Sequence, residues 1–167
     1  MKPLNLVLLL SLLCSFGLQA APLEDLREVG SARLKVLFWT VYDSTLYTED
    51  GDYEGVEPGL ALEITFGFNV PAAELIRRTA KEWDKRNLSP PEQSPWLDQL
   101  TGLLPDVNKG DTLVLYVDNN LYSNFYSNEQ LSGTIADSDF TRNFLAIWLD
   151  EETDYPRYRR QLTGGGD

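Results

Sequence analysis

The stretch Thr112-Leu113-Val114-Leu115-Tyr116-Val117, Asp118-Asn119-Asn120, Leu121-Tyr122-Ser123-Asn124-Phe125-Tyr126-Ser127, Asn128-Glu129, Gln130-Leu131-Ser132-Gly133-Thr134-Ile135 decides the fold class. Three short apolar-rich runs, 112–117, 121–127 and 130–135, are separated by two or three turn-forming Asn, Asp and Glu residues. Links that short join only antiparallel neighbours, because a parallel crossover needs a dozen residues or more. The pattern therefore predicts an antiparallel meander.

Working outward, Leu60, Leu62, Ile64, Phe66 and Phe68 alternate with Ala61, Glu63, Thr65 and Gly67, the period of a strand with one buried face. Residues 31–48 are dense in β-branched and aromatic side chains but too long for one strand, so a tight turn is expected at Leu37 to Trp39. Pro71 stands at the first turn of a helix to about Arg86, with Leu75, Ile76, Ala80 and Trp83 on one stripe. Pro90, Pro91 and Pro95 read as a linker, with Ser94 capping a helix that Pro105 stops. After the meander, Asp137 or Ser138 caps a helix carrying Phe140, Phe144, Ile147 and Trp148 on one side. Residues 150–154 follow as an acidic loop, and a short helix runs from Pro156 to Leu162. Strands and helices do not alternate regularly, so the fold class is α+β, an antiparallel sheet covered by helices on one face.

The first residues carry one Lys, an apolar run from Leu6 to Leu18 and then Gln19-Ala20-Ala21-Pro22, which reads as a secretory signal cleaved after Ala20. The expected organisation is a signal peptide at 1–20, one domain at 21–163 and a flexible Gly-rich tail at 164–167. The corresponding location is periplasmic or secreted, with no integral membrane segment after cleavage and a monomer as the expected state. A net charge of −12 disfavours phosphate backbones and anionic lipid, so neither a nucleic acid partner nor direct membrane adhesion is expected. The one Cys, Cys14, falls inside the signal and the chain has no His. That excludes a Ser-His-Asp triad, a Cys-His pair and imidazole-ligated zinc. Asp50-Gly51-Asp52-Tyr53-Glu54 lacks the ligand run of a calcium loop and reads as a solvated turn, so no metal site and no cofactor are expected.

Several elements occur in a telling order: Gly30-Ser31-Ala32-Arg33, Val41-Tyr42-Asp43, Leu46-Tyr47, Pro105-Asp106-Val107, Lys109-Gly110-Asp111-Thr112-Leu113, Phe125-Tyr126, then Phe140 and Phe144 with Ile147-Trp148-Leu149-Asp150 and Thr153. Together they resemble the bacterial chalcone isomerase-like family over about residues 28–163. The resemblance implies an open-faced β-sandwich of chalcone isomerase type. It also implies a cleft that plant enzymes use to close a flavanone ring, with an Arg and nearby hydroxyls, and in which related members bind fatty acids. Arg33 matches the catalytic Arg, and Tyr42 falls near a strand Thr of the plant enzymes. The spacing from Arg33 to Tyr42 is shorter than theirs, and two further cleft hydroxyls have no counterpart placed.

The expectation is thus a binding protein without strong catalysis, its partner a small apolar or aromatic acid, fatty-acid-like or phenolic. Arg33, Tyr42, Tyr47, Phe144 and Trp148 are the candidate ligand-binding residues. A chalcone isomerase-type intramolecular lyase using Arg33 and Tyr42 as catalytic residues is the alternative, and a ligand-free envelope interaction module the second. A strand Arg among apolar residues needs an anion or several acceptors if it is buried. An ordinary salt bridge, or a solvent-facing stem covering apolar surface, would serve it equally.

Overall fold

The computed structural model describes residues 20–88 and 90–165; the expected signal, residues 1–20, lies outside them but for Ala20, as do the last two residues of the expected tail. Six antiparallel strands, β1 (Arg27–Val36), β2 (Trp39–Thr48), β3 (Ala61–Phe66), β4 (Thr112–Val117), β5 (Ser123–Ser127) and β6 (Gln130–Ile135), form one sheet in chain order. Helices α1 (Ala72–Lys85) and α2 (Pro90–Leu103) are inserted between β3 and β4, and α3 (Ser138–Leu149) and α4 (Pro156–Leu162) follow β6. The architecture is α+β, an open antiparallel sheet with its helices on one face.

The side-chain period of 2 sorts the sheet into two faces. Tyr42 pairs with Phe66, Ser44 with Ile64 and Leu46 with Leu62, and Leu62 pairs on with Leu115 and Leu115 with Phe125. This row joins Trp83, Trp96, Phe140, Phe144, Leu145 and Leu162 from the helices in the main core. Rings meet mostly edge to face, with Phe140 and Phe144 stacked at 5.3 Å. The opposite face carries Ala61, Val114 and Tyr126 in a smaller cluster with Tyr47, Tyr116 and the N-terminal Ala21, Leu23 and Leu26. Ala61 is consequently as buried as Leu62, although alternation alone puts it outside.

Four polar side chains at the core, Trp83, Trp96, Ser123 and Thr141, are paired as burial demands. Trp83 Nε1 donates to the Asn143 carbonyl (3.0 Å) and Trp96 Nε1 to Asp137 (2.9 Å). Asp137 also caps α3 by accepting from the Asp139 and Phe140 N–H groups. Ser123 Oγ and Thr141 Oγ1 pair at 2.7 Å.

Three expectations are corrected. The proline segment is no linker: α2 begins at Pro90, since the first turn of a helix needs no N–H donors, and Pro95 sits inside it. The stripe of α1 buries Thr79 rather than Ala80 beside Trp83, and the Thr79 hydroxyl is satisfied by the Leu75 carbonyl (3.0 Å). Gly164 and Gly165, placed in a flexible tail, close α4: with Gly164 at φ +81°, Gly165 N–H reaches the Arg160 carbonyl (2.8 Å) and Gly164 N–H that of Gln161 (3.4 Å), a Schellman cap.

Candidate functional site

On β2, alternation turns Tyr42 and Ser44 toward the helices and Asp43, Thr45 and Tyr47 away from them. Tyr158 of α4 meets Tyr42 edge on, ring centroids 6.2 Å apart. Trp148 of α3 donates Nε1 to the Tyr42 hydroxyl at 3.0 Å, and Phe144 lies 5.4 Å from the Trp148 ring. A polar niche is thereby built where β2, α3 and α4 converge.

Its hydroxyls are not all used. Among the described residues, the buried side-chain oxygens and nitrogens without a hydrogen-bond partner are Ser44 Oγ and Tyr158 OH. Ser44 is 1% exposed and Tyr158 8%. An unpaired buried hydroxyl costs on the order of 1–3 kcal/mol, so a folded chain rarely keeps two in one place without use for them. Burial pushes the Tyr42 phenol up to about 12, and burial pushes Tyr158 upward as well, Tyr42 adding to the effect and the Ser44 hydroxyl easing it. Both phenols therefore hold their protons at neutral pH, and the niche is rich in O–H donors with no cation among them. Such a set suits an acceptor head group, a carbonyl or carboxyl oxygen.

Beside the niche lies a shallow open depression of about 770 Å³ between the β1–β2 arm and the end of α4. Val29, Gly30, Ala32, Arg33, Asp43 and Ser44 are among its lining residues, so Ser44 belongs to both features. Gly30 makes this corner possible: a Cβ there would stand 2.2 Å from the Gln161 carbonyl oxygen of α4.

Of the residues singled out in the sequence, Tyr42, Phe144 and Trp148 come together on the helix side. Arg33 and Tyr47 do not. Arg33 pairs across the strands with Asp43 while its neighbour Leu34 pairs with Tyr42, which puts guanidinium and phenol on opposite faces. The Arg33 Nε and Nη2 both donate to the Asp43 carboxylate, and more than half of the side chain is exposed. The Asp43 carboxylate raises the Arg33 pKa further, so this cation is already neutralised by its own sheet. Tyr47 faces the opposite surface in the smaller cluster.

Ser44 and Tyr158 escaped the sequence reading. The signal for Ser44 was its place two residues after Tyr42 and two before Leu46, a small polar residue in an inward row. For Tyr158 it was the i, i+4 pair with Leu162 on a helix opened by Pro156.

Comparison with known proteins agrees with this geometry at the level of fold. A family model described as chalcone isomerase-like matches residues 23–162, from the first 3-10 turn through α4. An uncharacterised protein of Haemophilus influenzae is 24% identical over 145 residues, covering 87% of this chain and 71% of that protein. The crystal structure of the Arabidopsis thaliana fatty-acid binding protein AtFAP1 superposes with a TM-score of 0.65 at 13% identity, covering 84% of this chain and 88% of the other. With the match running through every strand and helix described above, the chain belongs to the chalcone isomerase-like family.

Proposed function

We propose that the protein binds a small apolar or aromatic acid, fatty-acid-like or phenolic, with its head group at Ser44, Tyr158 and Tyr42 and its body along Val29 and Ala32. The observation that carries this reading is the pair of buried hydroxyls, Ser44 Oγ and Tyr158 OH, that stand close enough to act on each other but find no partner at hydrogen-bond geometry among the described residues. The fold neighbour named for fatty-acid binding supports it. Recognition is by O–H donors rather than by Arg33, which would have to leave Asp43 first. The opposite orientation of Arg33 and Tyr42 speaks for binding over ring closure, since an enolate must meet cation and hydroxyl at one oxygen. We further propose that this takes place in the periplasm or outside the cell, on the strength of the signal-like first residues.

The test uses thermal shift and solvent extraction with fatty and phenolic acids. Ser44→Ala and Tyr158→Phe each remove one unpaired hydroxyl, so each should raise the stability of the free protein, by about 1 kcal/mol, while weakening the ligand-induced shift. Stability that falls in both variants would show that the hydroxyls have internal partners and would end the proposal.

A second reading is favoured by one observation. The main core between sheet and helices is filled by Phe125, Phe140, Phe144 and Trp83, which suits a protein that presents surfaces and holds no ligand. Absence of any extracted molecule, with no shift from any acid, would select it.

A further inference from the structure

The β1–β2 arm outruns the sheet. β2 pairs with β3 only from Tyr47↔Ala61 to Tyr42↔Phe66, whereas β1 and β2 continue to Lys35↔Thr40 and Val36↔Trp39. At its tip four consecutive large apolar side chains face water: Val36 56% exposed, Leu37 86%, Phe38 97% and Trp39 75%. They contribute nothing to either core, and exposed contiguous apolar surface marks an interaction site.

The turn itself is built against backbone preference. Two-residue hairpin turns favour Asn and Gly, yet Leu37 takes φ +56°. A leucine in the left-handed region costs roughly 1 kcal/mol, so the apolar side chain is kept at the expense of the hairpin. Past the end of β3, Gly67 lies so close to the arm that a Cβ would stand 2.1 Å from the Thr40 oxygen, and its neighbour Phe68 is exposed as well.

Shape and charge select the occupant. The four side chains stand at the free end of an arm that projects beyond β3, which suits immersion in a deformable apolar phase. Between Leu34 and Tyr42 the one charged residue is Lys35, in a chain of net charge −12. Lys35 pairs with Thr40, so beyond it lie the Val36–Trp39 rung, about 3 Å further at strand geometry, and then the two-residue turn Leu37–Phe38 with its side chains, a reach on the order of the roughly 5–10 Å to which interfacial segments sink. Trp39 and Lys35 would then sit at headgroup level, where an amphipathic ring and a flexible ammonium are favoured.

We infer that the hairpin tip Val36–Trp39 inserts into the interfacial region of a lipid bilayer, and that the acidic body makes this insertion weaker on anionic than on zwitterionic membranes. This inference does not depend on ligand binding in the niche. The experiment mixes the full chain with phosphatidylcholine vesicles, with and without anionic lipid, and follows co-sedimentation and Trp39 quenching by brominated acyl chains. Comparing variants of the same full chain makes any contribution of its first twenty residues common to all. Phe38→Asp should lower the bound fraction about tenfold, and Trp39→Phe should abolish the quenching without abolishing binding. Leu37→Gly, which relieves the positive φ, should keep the fold and still lower binding. Equal binding of parent and tip variants, or Trp39 shielded by self-association without vesicles, would overturn the inference.

Discussion

At the scale of single residues, Tyr42 shows how a strand position acquires chemistry from what packs on it. A tyrosine on a half-buried strand is ordinary; it becomes a polar anchor because α3 brings Trp148 Nε1 to its oxygen and α4 lays Tyr158 on its ring. The raised pKa has a consequence for stability. The unfolded phenol releases its proton near 10 and the folded one near 12, so below 10 the stabilisation is fully present. Between those values the unfolded chain loses a proton the folded chain keeps, and stability falls by about 2–3 kcal/mol for this one group. Denaturation followed from pH 9 to 12 should show the fall, and Tyr42→Phe should make it shallower, Tyr158 still contributing, while losing stability at pH 7 through the stranded Trp148 N–H. An equally steep alkaline loss in Tyr42→Phe would place the cause elsewhere. Arg33 teaches the complementary lesson: its neighbours in sequence are apolar, but its register partner is Asp43, and register is a property of two strands.

At the scale of elements, the helices are held by residues far from them in sequence. Pro71 gives α1 no side-chain cap, and the Ala72 N–H is met instead by Asp106 Oδ1 at 2.8 Å, beside the Val70–Val107 bridge. Asp106→Ala should therefore destabilise the protein by about 1 kcal/mol and loosen the first turn of α1, seen as faster amide exchange there than in α3. Unchanged exchange would mean the cap is redundant. The Asp106 reading as a turn-stabilising residue was available from sequence, because Asp favours such places. Its partner was not, since nothing local joins position 106 to position 72. The same limit explains α2, where three prolines argued for a linker and the surrounding packing of Trp96 and Leu100 extended the helix instead.

At the scale of the whole molecule, the niche depends on how closely α4 rides over the edge strand. Gly30 sets that distance, and Tyr158 and Leu162 are the side chains it brings to the sheet. Gly30→Ala has no room without moving backbone, so it should cost about 1–3 kcal/mol and, by lifting Tyr158, return that ring to water with a more ordinary titration. A wild-type-like unfolding midpoint would show that α4 can yield freely. The sequence by itself determined the strands of the meander, the hairpin break at Leu37, the amphipathic stripes of α1 and α3, and the fold class, because these rest on periods of 2 and 3.6 and on turn chemistry that act over a few residues. Only the tertiary structure decided that Arg33 is answered by Asp43, that Ser44 and Tyr158 meet unpaired beside Tyr42, and that the arm projects past β3. Those outcomes depend on the register of β1 against β2, which pairs residues ten apart at Arg33 and Asp43, and on the seating of the C-terminal helices, which is set by contacts between residues more than a hundred apart.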